Sequence, residues 1–390
     1  MLRIDRYRMK NINTYKELFL FTERLKMLND ASRDLYMSPH IYDTKCETKT
    51  MYIDREFEPE NKNLSKSNIK VRVDKLENIG DLIRIIENHP LKDDKGKEIE
   101  YNMNMKQLHH IRDELKQIDS FIGMKELKTN ILNQLLYFIQ GFQSEEEYMH
   151  MILFGPPGTG KTEIAMSLGK MFCKLGILKK ETFRKVVRSD LIAGYLGQTA
   201  LKTAKVIEES KGGVLFIDEV YALGHRDKDD LFSKECIDTL CESLSACRTE
   251  LMVIIAGYEE DVTQCFLKVN KGLDSRFPWK YTIKEYTSDE LHDIFVKKVD
   301  NIHWILDMEE TNSRSWFKTN KDEFKYFGRD IETFLTKLKV VHSKRMFVND
   351  SVDRKRIIKK DMDTGMELFK QHRIEKGKKD AYLDTFGLYT

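Results

Sequence analysis

The sequence predicts an α/β domain, a parallel sheet with helices on both faces, followed by a small all-helical lid domain. Three observations carry this. Short continuous apolar runs at Met151–Phe154, Val214–Ile217 and residues 251–256 are separated by helical patterns, as expected of strands buried on both faces of a parallel sheet. A glycine-rich turn follows the first run directly and opens a helix, in which Ile164, Ala165, Leu168, Met171 and Phe172 stand at core spacing. After about Thr287 the strand signal fades, and Ile331, Phe334, Leu335, Leu338 and Val341 mark an amphipathic helix. A chain of 390 residues has room for two or three domains. The expected division is an N-terminal region of unknown role at 1–118, the α/β domain at 119–286, and the helical lid and C-terminal region at 287–390.

The α/β domain begins with an apolar face made by Leu127, Ile131, Leu132, Leu135, Leu136 and Ile139, which reads as a buried helix ahead of the first strand. Before it the sequence says less. Helix-like patches at 15–28 and 82–86 flank a polar stretch at 46–70, whose run from Asn61 to Asn68 has too little apolar surface to offset ordering entropy. A mixed, partly disordered N-terminal region is therefore expected, with a solvated connector at 91–101 leading into a helix near Asn104.

Lys and Arg total 66 against 64 Asp and Glu, so bulk charge gives no reason to expect nucleic acid or a membrane as partner. The six cysteines, at 46, 173, 236, 241, 247 and 265, read as free thiols, and the spacing of Cys236, Cys241 and Cys247 is not that of a zinc site. No apolar run approaches the ~20 residues that span a bilayer. The opening residues mix Arg3, Arg6 and Arg8 with Asp5 and Glu17 and lack a cleavage pattern, so a soluble cytoplasmic protein is the default expectation.

The turn after the first strand reads Gly155-Pro156-Pro157-Gly158-Thr159-Gly160-Lys161-Thr162. Its glycines let backbone amides face phosphate, and the helix N-terminus adds unpaired N–H donors and a favourable dipole. Lys161 would reach the β- and γ-phosphates of ATP, and the Thr162 hydroxyl would bind Mg2+. The second strand ends in Asp218-Glu219, at the sheet edge where ligands bind in open α/β folds. Asp218 would hold the magnesium shell, and Glu219 would polarise the attacking water. Strand, glycine loop, helix and distal acid pair together predict a P-loop nucleoside triphosphatase.

From about 119 to 345 the chain resembles the AAA+ family, in the branch containing red-type Rubisco activase and stage V sporulation protein K. The resemblance is carried by His150-Met151, by Ser189-Asp190-Leu191-Ile192-Ala193-Gly194-Tyr195-Leu196-Gly197-Gln198-Thr199-Ala200, and by Ile254-Ile255-Ala256-Gly257-Tyr258. It implies a homo-oligomeric ring, usually a hexamer, with ATP between subunits and a central pore that pulls on a protein client. Nothing in the sequence argues for Rubisco itself.

Under this resemblance Tyr195-Leu196-Gly197 is the pore loop, the alternative being a tyrosine lying on its own domain. Gly272-Leu273-Asp274-Ser275-Arg276-Phe277 matches the arginine-finger segment. Many relatives carry a further arginine where this chain has Asp274, which leaves Arg276 as the candidate, against a surface ion pair. Arg329, in Phe327-Gly328-Arg329-Asp330-Ile331-Glu332, matches the sensor-2 arginine, or is ordinary helix-end charge. Tyr258 stands where many relatives place an asparagine or threonine that orients water; it either senses nucleotide through its hydroxyl or closes the strand end. His225 and Arg226 read as a solvated loop, and the basic stretch from Lys337 to Lys360 reads as a solvated helix face.

Two other function classes fit the same site: a nucleic-acid-handling ATPase of clamp-loader or initiator type, and an ATP-gated scaffold with little turnover. An aromatic residue in the candidate central loop, with no appended helix-turn-helix or zinc module, argues against the first. Glu219 argues against the second.

Overall fold

The computed structural model describes residues 68–71, 73, 75–144, 146–195, 197–224, 230–348 and 354–386, all within one structural unit, Ser65–Thr390. The helical patch expected at 15–28, nearly all of the polar stretch at 46–70, Cys46, Leu196, His225 and Arg226 lie outside the described residues.

Five parallel strands form the central sheet: β1 (Met151–Phe154), β2 (Phe183–Val186), β3 (Val214–Ile217), β4 (Met252–Gly257) and β5 (Trp279–Thr282), in the spatial order β2-β3-β4-β1-β5. The three strands expected from apolar runs are the central ones, and every residue in them is buried. The two strands not anticipated, β2 and β5, are the edges, and their sequences Phe-Arg-Lys-Val and Trp-Lys-Tyr-Thr mix polar with apolar because an edge strand is only half covered. Registers run Val186 to Ile217, Ile217 to Ile255, Phe154 to Gly257 and Phe154 to Thr282, so the carboxyl ends of the strands lie level along one edge.

Alternation along the strands divides the apolar side chains between two cores. Met151, Leu153, Val214, Phe216, Met252 and Ile254 face one cluster, while Ile152, Phe154, Leu215, Ile217, Val253 and Ile255 face the other. The first cluster is covered by α1 (Ile79–Asn88), α2 (Arg112–Asp119), α3 (Lys125–Ile139) and α4 (Lys161–Lys174). Asn78 caps α1 in a capping box with Asp81, and Asn104 caps the short helix Met105–His110 where a helix was expected. Leu82, Ile86, Leu115 and Ile118, from the 1–118 region, are buried in this same cluster. The second face is covered by α5 (Thr199–Ser210), α6 (Leu231–Ala246) and the short α7 (Gly272–Arg276). Cys236, Cys241 and Cys247 are buried there, and burial pushes the Cys236 thiol up to about 11.

The C-terminal part is helical, with α8 (Ser288–Asn301), α9 (Ser313–Thr319), α10 (Phe327–Val348) and α11 (Lys359–Phe386). It has its own aromatic core, in which Phe295, Phe317, Phe324, Phe334 and Phe369 are fully buried, each contributing about 2–3 kcal/mol by removal from water. A two-residue parallel ladder, Ile305–Leu306 with Arg356–Ile357, is the departure from an all-helical lid among the described residues. Part of the basic stretch is spent inside the lid: Arg345 meets buried Asp361 at 2.8 Å, and Arg356 meets Asp307 at 2.7 Å.

Candidate functional site

At the end of β1 the Gly155 N–H donates to the Gly257 carbonyl at 3.1 Å, which holds the start of the glycine loop against the end of β4. Gly155, Gly158 and Gly160 take φ of 150°, 78° and 88°, values that side chains rarely tolerate. At Gly158 space is also closed, because a Cβ there would lie 2.0 Å from the Tyr326 carbonyl oxygen of the lid. The Thr159 hydroxyl donates to the Pro156 carbonyl at 2.8 Å, and α4 begins at once with Lys161 and Thr162. Lys161 Nζ donates to the carbonyls of Gly155 and Pro156, both at 2.8 Å. Burial lowers the Lys161 pKa, an effect that Asp218 and Glu219 oppose and Arg329 reinforces.

Glu219, just past β3, has a left-handed backbone with φ 51°, and its N–H donates to Asp218 Oδ1 at 3.1 Å. A non-glycine residue in that region costs of order 1 kcal/mol or more, strain of the kind that fixes a side chain's direction at a site. Tyr258 follows β4 and stands 6.3 Å, ring to ring, from Tyr221; burial raises both phenolic pKa values. The lid closes over the loop where the Gly328 N–H donates to the Gly158 carbonyl at 3.0 Å, and the Tyr286 hydroxyl, from the segment just before the lid, donates to the Thr159 carbonyl at 3.1 Å. That contact brings Arg329, near the start of α10, to the loop.

Together these residues line a cavity of about 430 Å3, a size usual for small-ligand sites. Its lining includes Gly155, Pro157 to Thr162, Asp218, Glu219, Tyr258 and Arg329. Phe121, Ile122 and Met124, from the segment before α3, and Ile294, from lid helix α8, add apolar lining. Lys297 ties these two walls by donating to the Ser120 carbonyl at 2.6 Å. A helix N-terminus, an ammonium and a guanidinium facing two carboxylates can receive a polyanion together with a cation.

Three of the singled-out residues lie elsewhere. Arg276 does not line this cavity; its Nε donates to Ser245 Oγ at 2.9 Å, its Nη1 to the Gly272 carbonyl at 2.5 Å, and its guanidinium lies over the Tyr148 ring at 5.9 Å. Tyr195 and Gly197 lie on the stretch that leads into α5, with Tyr195 75% exposed. Sequence reasoning missed Tyr221, Tyr286, the apolar lining and Lys185. Lys185 belongs to the unread strand β2, and its Nζ lies 2.6 Å from Asp218 Oδ2 and 3.5 Å from Thr162 Oγ1.

Residues 151–277 match the ATPase family associated with various cellular activities (AAA). Over 252 residues the chain is 41% identical to a cfxQ-like protein of Acanthamoeba polyphaga mimivirus, covering 64% of this chain and 62% of that protein. It is 36% identical to stage V sporulation protein K of Bacillus subtilis (strain 168) over 201 residues, 50% of this chain and 62% of that one. With the ESX-3 secretion system protein EccA3 of Mycobacterium leprae (strain TN) it shares 40% identity over 192 residues, 47% of this chain and 30% of that one. The chain thus spans less than two thirds of the length of each of these relatives. Among the described residues no helix is long and apolar enough to cross a membrane. The matching stretch is the one that builds four of the five strands and the whole glycine loop, and through it this chain carries a domain of the AAA family of ATPases.

Proposed function

We propose that this chain binds ATP with Mg2+ in the cavity between sheet edge and lid, hydrolyses it, and works as one subunit of a ring, most simply a hexamer, that remodels or threads a protein client. The observation that carries the reading is the meeting of the glycine loop, Lys161, Thr162, Asp218, Glu219 and Arg329 in one cavity that also has apolar lining. The loop amides and Lys161 hold the phosphates, and the base lies toward Phe121, Ile122, Met124 and Ile294. Thr162 Oγ1 and Asp218 Oδ2 face a common point, since one ammonium reaches both, and a hydroxyl with a carboxylate suits a hard cation that prefers oxygen. Mg2+ held there would neutralise charge on the transferring phosphoryl group.

Glu219, fixed by its left-handed backbone, orients the attacking water, with the Tyr258 hydroxyl beside it. Arg329 brings the lid's charge to the phosphates. Arg276, turned away from its own cavity, is assigned to the site of a neighbouring subunit, which makes assembly part of catalysis. Tyr195 with Leu196 and Gly197 forms the loop that grips the client, a role in keeping with the exposure of Tyr195 and with a relative that is a secretion system protein. In the domain division proposed here, 119–286 carries the nucleotide and 287–390 is the lid; the 1–118 region contributes α1 and α2 to the packing behind the sheet.

Calorimetry with ATP and a phosphate-release assay test the site. Lys161→Ala is expected to weaken ATP binding by at least roughly a hundredfold. Glu219→Gln is expected to keep binding while turnover drops by on the order of 10²–10⁴. Equal ATP affinity in wild type and Lys161→Ala would overturn the assignment.

A further inference from the structure

Lys185 stands opposite Phe216 in the β2–β3 register, and its Nζ lies 5.7 Å from the centre of that ring. The ladder continues one step past β3, with the Asp218 N–H donating to the Val186 carbonyl, so Asp218 leaves the sheet on the same face as Phe216, two residues earlier. That is the face covered by α4, whose second residue is Thr162. The lysine stem therefore runs along an aromatic wall to the carboxyl edge of the sheet. Its ammonium ends 2.6 Å from Asp218 Oδ2 and 3.5 Å from Thr162 Oγ1, the two oxygens assigned above to the divalent cation.

We propose that Lys185 is a resident counter-cation of the Thr162–Asp218 pair, which a divalent ion must displace, so that it lowers metal affinity and sustains nucleotide binding without metal. The inference rests on the magnesium–nucleotide reading of the cavity. An ammonium and a small divalent ion that needs contacts near 2 Å cannot share one point between the same oxygens. The Lys185–Asp218 pair is partly open to solvent, with Lys185 45% exposed, so its Coulomb energy is modest and displacement is reversible. The displaced head keeps a flexible four-carbon stem anchored at the cavity rim, where its charge still acts on phosphate. Lys161 does not duplicate this role, because its ammonium lies against the Gly155 and Pro156 carbonyls, whereas that of Lys185 lies between Thr162 and Asp218.

The test uses the full chain as wild type, Lys185→Met and Lys185→Arg. Mn2+ is titrated against ADP-loaded protein by electron paramagnetic resonance, and ADP binding in EDTA is measured by calorimetry. Lys185→Met is expected to bind Mn2+ roughly fivefold more tightly and to bind ADP in EDTA more weakly by a similar factor, while Lys185→Arg keeps the EDTA binding. A lysine that merely braced the sheet edge would weaken both on removal. Unchanged or weaker Mn2+ binding in Lys185→Met, with ADP bound normally by the wild type, overturns the counter-cation alone. No ADP binding by the wild type in either condition overturns the cavity reading together with it.

Discussion

At the scale of single residues, His150 shows how a side chain outside the chemistry still constrains the site. It is fully buried just before β1, where its Nδ1 accepts the Val253 N–H at 3.1 Å and links the start of β1 to β4. Tyr148 and Phe277 pack against the ring. Burial lowers its pKa to about 4, against the opposing pull of the Leu244 backbone and with a smaller push from Arg276. The unfolded chain takes up a proton near pH 6.5 and the folded chain does not until about pH 4, so nothing is lost above 6.5 and stability falls as pH drops through that window. The loss attributable to this histidine is on the order of 3 kcal/mol. His150→Asn keeps an acceptor but does not titrate. In denaturant titrations it is expected to lose stability at pH 7 yet show a shallower decline from pH 6.5 to 4 than the wild type. An equal decline in both proteins would mean that the imidazole is not held neutral.

At the scale of elements, the phosphate loop and lid helix α10 act on each other through backbone. Gly158 meets Gly328 and Tyr326, and Tyr286 reaches over to Thr159, so the loop's shape and the lid's position are set together. Tyr286→Phe keeps the ring against Phe327 and removes one buried hydrogen bond, with an expected cost of about 1 kcal/mol in chemical denaturation. Gly158→Ala adds both a disfavoured φ and the clash with the Tyr326 carbonyl, and is expected to lower ATP affinity by more than roughly tenfold while circular dichroism stays native. Wild-type affinity in Gly158→Ala would show that loop and lid are not coupled. Such contacts are hard to read in a sequence because Gly158 and Tyr326 are far apart along the chain. What was legible had local period or local chemistry: the apolar runs of β1, β3 and β4, the helical faces of α3 and α10, the glycine loop and Asp218-Glu219. The edges β2 and β5 were not, since half-covered strands tolerate polar residues, and Lys185 was lost with β2. The apolar lining of the cavity was missed for the same reason as the loop–lid contact, because Phe121, Met124 and Ile294 come to one cavity only in the fold.

At the scale of the whole molecule, Arg276 and Tyr195 both lie apart from the cavity of their own chain. Arg276 is held by Ser245 and Gly272 away from the cavity of its own chain, and Tyr195 exposes a large ring to solvent ahead of α5. An exposed ring offers contact area to a partner, and a ring of subunits would bring such loops together around a pore. A tyrosine offers contact area to any peptide at low entropic cost, whereas a pore built for DNA would present fixed positive charge to the phosphates. Tyr195 is far in sequence from Lys161, Asp218 and Glu219 and does not line their cavity, so truncating it should spare nucleotide binding. The measurement is ATPase stimulation by an unfolded polypeptide, and separately by single- and double-stranded DNA, in wild type and Tyr195→Ala. Polypeptide is expected to stimulate the wild type, and Tyr195→Ala is expected to lose that stimulation while its ATP affinity and its mass by light scattering stay unchanged. Stimulation by DNA alone, equal in both proteins, would reject the protein-client reading and favour a nucleic-acid machine built on the same ATP site.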